Sequence, residues 1–317
     1  MKTLQLEDVV SLAQWERAVK VLRAYAPDQV QVPERAKNYA RSHPDDKPIR
    51  RMLLVDGGQD RAFVVVLQAF WFPDPGLYIC DLDVPEAEYA APALDVAEQQ
   101  VLEFGGSESM VWFRSDRPYM QELLVGRGYT LGQVNPVIRL DLGPFNPEPW
   151  ASKVDAVLEA GYEIIDLESY GQQHPETWKH DLWRMEMDLL ADVPLPEPFV
   201  EEPYEDFVKG LDANPQRREF QFFALWEGVP VAMSALFPNY GDPTLAHTGL
   251  TGSRREHRRK GLATALKAKA LTLAKEAGIQ RVYTDNEENN PMRELNLALG
   301  FRDDYQAICS RRKLVNS

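Results

Sequence analysis

The chain has 317 residues, enough for two domains with cores of their own, and 44% hydrophobic with 10% aromatic residues excludes a disordered chain. Its 49 acidic against 35 basic residues give a formal net charge of −14; a nucleic-acid binder needs a surplus of lysine and arginine, so that class is excluded, and an acidic surface serves solubility or attracts a cationic amine. Cys80 and Cys309 stand far apart in strand-like text, no metal-ligand spacing or long apolar run occurs, and Glu7 and Asp8 interrupt the first segment; these features predict a cytoplasmic protein with no metal, membrane span or signal peptide.

In chain order, the first half reads as a β pair near 51–56 and 61–72, a strand at 77–84, a helix at 90–105 and a strand at 109–115. Arg117-Pro118-Tyr119-Met120 then leads through a short helix to Gly126-Arg127-Gly128-Tyr129 and a long β-rich stretch. Trp71, Phe72 and Trp112 are expected in the core. Gly143-Pro144-Phe145-Asn146-Pro147-Glu148-Pro149 reads as a linker, with a short helix at 150–160 belonging to either side.

The second half predicts a helix at 175–191 carrying Trp178, Trp183 and Met187, a proline-rich loop from Ala191 to Phe199, and a helix at 203–212. Strands follow near 219–227, 229–238 and 245–253, then a helix at 260–277 and a strand at 280–286. Asn290 and Pro291 start one more helix, Gly300 stops it, and Phe301 opens the last strand. The order of elements repeats faintly between the halves. The reading is therefore of the α/β class, with a mixed sheet: two tandem copies of one unit, at 1–145 and 161–317, joined by a linker at 146–160.

Arg258-Arg259-Lys260-Gly261-Leu262-Ala263 stands between a strand and a strongly amphipathic helix, with Leu262, Leu266, Ala270, Leu273 and Ala277 on one stripe. The first N–H groups of a helix lack internal partners and carry the positive end of its dipole, so a diphosphate suits that place. Gly261 lets the backbone approach closely. The hexamer by itself also fits an ordinary solvated helix start.

The downstream text adds Thr284-x-Asn286-x-x-Asn289-x-x-Met292, a helix, and Leu299-Gly300-Phe301. This order of strand, R-x-x-G-x-A turn, helix, strand, polar motif, helix and Leu-Gly-Phe resembles the GNAT superfamily of N-acetyltransferases, strongly over 245–314 and more loosely over 162–244. The resemblance implies tandem GNAT folds and acetyl-CoA as cofactor. It implies that Arg258, Arg259, Lys260, Gly261, Leu262, Ala263 and Thr264 wrap the diphosphate. Thr251, Gly252 and Ser253 would hold the pantetheine arm, with Asn286 and Asn289 nearby. The N-terminal copy looks degenerate: Pro85, Glu86, Glu88 and Pro92 follow its strand at 77–84, no glycine is present, and the glutamates would repel a diphosphate. Residues 1–145 are expected not to bind coenzyme A but to cover the second copy, shape its acceptor cleft or pair two subunits as a homodimer.

The implied reaction transfers an acetyl group to the primary amine of a small molecule by direct attack on the thioester; the alternative is a non-catalytic acyl-CoA-binding or scaffolding protein. The family's frequent proton-donating tyrosine is replaced here by Asn296, and Tyr305 and Tyr283 are fallback donors. Candidate bases are His247, Asp242, Glu186 and Asp188. His247 has the best location along the chain, although a lone histidine in a strand is equally a packing residue.

Overall fold

The computed structural model describes residues 4–29, 32–40, 43–44, 46–70, 72–193, 198–213, 218–285 and 290–314. Their elements run β1 (Gln5–Asp8), α1 (Leu12–Tyr25), α2 (Pro33–Ala40), β2 (Ile49–Asp56), β3 (Gln59–Gln68), β4 (Leu77–Asp83), α3 (Ala90–Glu103), β5 (Glu108–Arg114), α4 (Pro118–Gly126) and β6 (Thr130–Asp141). The chain continues through α5 (Glu148–Glu159), β7 (Glu163–Asp166), α6 (Leu167–Gln173), α7 (Trp178–Leu190), α8 (Tyr204–Ala213), β8 (Gln221–Trp226), β9 (Val229–Pro238) and β10 (Leu245–Ser253). It ends with α9 (Leu262–Glu276), β11 (Arg281–Asp285), α10 (Pro291–Ala298) and β12 (Arg302–Lys313).

Two compact units result. The first gathers the described residues within Met1–Pro136, Leu195–Val200 and Tyr305–Ser317, the second those within Val137–Pro194 and Glu201–Asp304. The internal repeat is visible in the pairing. In the first unit β2, β3 and β4 pair antiparallel in turn and β4 pairs β5 in parallel. In the second, β8, β9 and β10 pair antiparallel and β10 pairs β11 in parallel. The core of the first unit lies where Met52, Val64, Tyr78 and Leu82 meet Leu94, Ala97, Met120 and Leu124 of α3 and α4. On the other face α1 packs Trp15, Ala18 and Val21 against Leu53 and Phe63. In the second unit α9 lays Leu262, Leu266, Ala270 and Leu271 over Phe222, Leu236 and Val282. Leu182, Met185 and Leu189 of α7 cover Phe223, Met233 and Ala235 on the opposite face.

The boundaries differ from those expected. The stretch 146–160 carries α5, which includes the short helix expected at 150–160 and starts earlier, because Pro147 and Pro149 occupy a helix start, where a missing N–H costs nothing. The strand that closes the second repeat, β12, lies from Tyr305 onward in the first unit, beside β5, from Ala307↔Arg114 to Lys313↔Glu108. Residues Val137–Asp141 of β6 lie in the second unit, antiparallel to β11. A fragment ending at 145 would lack the strand that covers β5, and one starting at 161 would lack the strand that covers β11. Each would expose a long unpaired sheet edge. Both fragments are expected to aggregate or to lack near-ultraviolet circular dichroism when produced alone, whereas the full chain melts cooperatively. A soluble 161–317 fragment with native-like dispersion of its amide resonances would contradict this strand assignment.

Candidate active site

The site is built on β10 and the turn after it. Strand β10 pairs β11 in parallel only at Leu245↔Arg281, Ala246↔Val282 and His247↔Tyr283. Beyond that point β10 continues to Ser253 along β9, while Thr284 and Asp285 of β11 continue along Ile138 and Val137 of β6. The two strands therefore fork. A register shift against β9 between Thr248 and Thr251 bends β10 at the fork. Glycine is required there: a Cβ on Gly249 would stand 2.4 Å from the Phe237 ring, and one on Gly252 would stand 2.9 Å from Cδ2 of Leu189 on α7. Thr251 Oγ1 lies 3.0 Å from Ser234 Oγ, which fixes the outer arm of the fork.

After Ser253 a short helical turn at Arg255–His257 leads to Arg258 in an extended conformation, then Arg259 at φ 63° and Gly261 at φ 79°. Left-handed backbone at an arginine costs of order 1–3 kcal/mol and tends to mark ligand sites. Gly261 is the N-cap of α9 and offers no side-chain acceptor. The first intrahelical bond is donated by Ala265 to Gly261. Among the described residues, the amides from Arg259 to Thr264 find no acceptor within the chain. A run of unsatisfied N–H groups at the positive end of a fifteen-residue helix is an anion cradle. Leu262 is buried and anchors it, while Arg258, Arg259, Lys260 and Gly261 are exposed.

Side chains around the cradle hold its shape. Asp192, just past α7, bonds Arg255 at 2.7 Å and also Arg258, and these arginines hold its carboxyl below the usual carboxylate range. Arg258 Nε also donates to the Ser253 carbonyl at 3.3 Å. His257 Nδ1 is hydrogen-bonded to the Tyr162 hydroxyl at 3.0 Å, and Lys260 Nζ lies 5.8 Å over the Tyr162 ring. Desolvation, with Lys260 beside it, lowers the His257 pKa.

The structure thus brings Thr251, Gly252, Ser253, Arg258, Arg259, Lys260, Gly261, Leu262, Ala263 and Thr264 into one fork and turn. Asn286 and Asn289 lie outside the described residues. His247 stacks on Tyr283 with ring centroids 5.5 Å apart. Asn296 is fully buried on α10; an amide there donates a hydrogen bond but no proton.

Tyr305 requires a correction. It belongs to the first unit, where its hydroxyl donates to Asp28 Oδ2 at 2.9 Å and its ring lies 3.7 Å under the Arg114 guanidinium. Burial and Asp28 push its pKa far above the ordinary phenol value. The hydroxyl is committed to that carboxylate and is a poor proton donor for a departing thiolate. Tyr305→Phe is expected to lower stability by about 1.5–3 kcal/mol, the usual worth of a hydrogen bond to a charged group. The check is a denaturant titration, with turnover unchanged; a selective loss of turnover would restore the catalytic assignment.

Sequence reasoning weighed Glu186 but placed His247 ahead of it. Glu186 stands on the face of α7 that carries Leu182, Met185 and Leu189 toward the sheet. Leu189, one turn on, is the residue that fills the space beside Gly252. Glu186 has no hydrogen bond or ion pair among the described residues, and burial, with Glu202 nearby, pushes its pKa up to about 7. Asp188, by contrast, is tied to Arg184 at 3.0 Å and Arg254 at 3.1 Å. Asp242 caps its own loop, accepting from the Thr244 hydroxyl at 2.6 Å.

Residues 180–301 match the acetyltransferase (GNAT) family. This segment is a GNAT domain. Among solved structures, a tandem GNAT protein from the clavulanic acid biosynthesis pathway superposes over 99% of this chain and all of its own, with a TM-score of 0.71 at 17% identity. A GCN5-related N-acetyltransferase from Sphaerobacter thermophilus covers 98% of this chain and 95% of its own at a TM-score of 0.68 and 13% identity. A glucosamine N-acetyltransferase region of a fungal GH3 β-N-acetylglucosaminidase gives a TM-score of 0.66 at 12% identity over 98% of this chain and 38% of that one. No curated protein matches the sequence. The chain has the tandem GNAT fold, and no described helix is long and apolar enough to cross a membrane.

Proposed function

We propose that this GNAT protein transfers an acetyl group from acetyl-CoA to the primary amine of a small molecule, with Glu186 as the general base. The reading is carried by the run of unsatisfied amides around Gly261 at the mouth of the β10–β11 fork. Those donors fit a diphosphate: they are numerous, open to solvent, and set on a helix N-terminus among Arg258, Arg259 and Lys260. Thr251, Gly252 and Ser253 along the fork would hold the pantetheine arm through their backbone.

Acetyl-CoA supplies an acyl group activated as a thioester. The protein's own task is to deliver a neutral amine. A lysine-like ammonium with a pKa of about 10.4 is roughly one part in 2,500 neutral at pH 7, a deficit of about 4.6 kcal/mol. Glu186, unpaired and with a pKa of about 7, is poised to take that proton. The net charge of −14 favours the approach of a cationic acceptor. The protein's acidity fits a cytoplasmic setting.

Asn296, in the place of a proton-donating tyrosine, favours a second reading, a coenzyme A-binding scaffold without turnover. Thiol release from acetyl-CoA across a panel of primary amines separates the two. Turnover abolished by Gly261→Glu supports the enzyme. Firm coenzyme A binding without turnover on any amine supports the scaffold, and turnover that survives Gly261→Glu overturns the site.

A further inference from the structure

Two hydroxyls bridge the β10–β11 fork at the point where it opens. Backbone pairing of the strands ends at His247↔Tyr283, and the next residue of each is a threonine: Thr248 Oγ1 donates a hydrogen bond to Thr284 Oγ1 at 2.5 Å. Side chains alternate along a strand, and Ala246 and Val282 lie in the core beneath α9, so Thr248 and Thr284 face that same side. Their neighbours on the flanking strands are Leu236 of β9, opposite Thr248, and Ile138 of β6, opposite Thr284, both in that core. The pair therefore stands on apolar ground, with Thr248 half-buried and Thr284 7% exposed.

The direction of the bond decides what the pair can do. A threonine hydroxyl carries one proton and two acceptor sites. Thr248 commits its proton to Thr284. Thr284 accepts it and keeps its own proton, which finds no acceptor among the described residues. A buried hydroxyl in a water-poor place normally has its donor satisfied. Here the free donor is held at the base of a fork, and the bond from Thr248 limits the directions in which it can point.

The fork suggests what receives it. With a diphosphate at the Gly261 turn, a pantetheine arm laid along Ser253, Gly252 and Thr251 runs toward Thr248, and its sulfur end comes to the base of the fork. In acyl transfer the amine nitrogen bonds to the thioester carbon, the carbon–sulfur bond breaks, and its electron pair stays on sulfur as a thiolate. The tyrosines that could meet that charge are engaged elsewhere: Tyr283 turns to the other face, stacked on His247, and Tyr305 is tied to Asp28. Helix α10, which packs on the α9 side through Leu295, carries Asn296 in place of a proton donor.

We infer that the Thr284 hydroxyl donates a hydrogen bond to the departing sulfur, and that Thr248 is the positioning residue that aims it. A donor fixed in advance where charge develops stabilises that charge without reorganising, and a bond to an ion is stronger than one to a neutral group. The hydroxyl keeps its proton, so the thiolate takes one from water after it leaves. This assignment rests on the acetyl-CoA reading of the same fork.

Calorimetric titration of the full chain with coenzyme A and with desulfo-coenzyme A, at about pH 7 and about pH 9, on either side of an ordinary thiol pKa, tests it. The wild-type preference for coenzyme A over the desulfo analogue should be several-fold greater at the higher pH, because the thiolate is the form the hydroxyl favours. Thr284→Val should abolish that rise and Thr284→Ser should keep it. Thr248→Val breaks the same link between the strands but spares the Thr284 hydroxyl, so it should keep part of the rise. With an amine acceptor, kcat of Thr284→Val should fall about ten- to a hundredfold at unchanged KM for acetyl-CoA. If Thr284→Val fails to melt cooperatively, Thr284→Ala carries the same test. A preference that does not rise with pH in the wild type, or a rise that survives in Thr284→Val, overturns the inference. So does equal loss of the rise in both valine variants with equally lowered melting temperatures, which would make the pair a brace between strands. Wild-type protein that binds neither analogue would fail the acetyl-CoA reading itself and the inference with it; binding of both that Gly261→Glu abolishes, with a rise unmoved by Thr284→Val, would overturn the inference alone.

Discussion

Gly261→Glu is expected to weaken acetyl-CoA binding at least a hundredfold, by calorimetric titration, while the protein stays folded. Two effects add. The turn holds residue 261 at φ 79°, where a side chain brings strain of about 1 kcal/mol even with free space around it. A Cβ at this position meets nothing within 4 Å, so Gly261→Ala isolates the strain and should lose roughly fivefold. The glutamate adds a negative charge at the mouth of the amide cradle. Two unit charges about 4 Å apart at an effective dielectric near 20 interact by about 4 kcal/mol, and half of that already exceeds a further tenfold. The substituted side chain is solvent-exposed, so the melting temperature should fall by only a few degrees. Equal affinities for Gly261→Ala and Gly261→Glu would mean that no phosphate group approaches this turn.

The turn was legible in the sequence because its information is local. A strand, a basic run, a glycine and an amphipathic stripe are contiguous, and each fixes the conformation of its neighbours. The duplicated unit was legible for a related reason: its elements recur in order, and the β4–β5 and β10–β11 pairings repeat the same parallel geometry. The placement of Tyr305 was not legible. Chain order puts it just after Leu299-Gly300-Phe301, but β12 pairs with β5, nearly two hundred residues back, and such a strand exchange leaves no local trace. Lys267 was missed differently. A lysine at this place on α9 reads as a solvated face until the packing is seen, which buries it beside the Phe301 ring and drives its pKa down to about 7. His247 was preferred over Glu186 on strand position alone, and its stacking on Tyr283 depends on the register of two strands that are far apart in sequence.

That preference is reversed by the expected behaviour of Glu186→Gln. With Glu186 as the base, the productive complex pairs an ionised carboxylate with an ammonium. Log kcat/KM then rises with unit slope up to about pH 7, where Glu186 ionises, and levels off until the amine itself titrates. Without the base only free amine reacts, so the variant keeps rising through pH 7 toward the amine's pKa. At neutral pH the loss in kcat should reach about 10²–10⁴-fold, the usual worth of a positioned base, and acetyl-CoA affinity should not change. Stability moves the other way. The folded protein raises the pKa of Glu186 above its unfolded value of 4.5, so the stability tied to its proton is complete below about pH 4.5 and lost as pH rises through about 7. A neutral glutamine escapes that loss, and the variant should melt at or above the wild-type temperature at pH 8. Lower activity caused by misfolding would come with a lower melting temperature instead, and a variant that kept the break near pH 7 would return the role of base to another group.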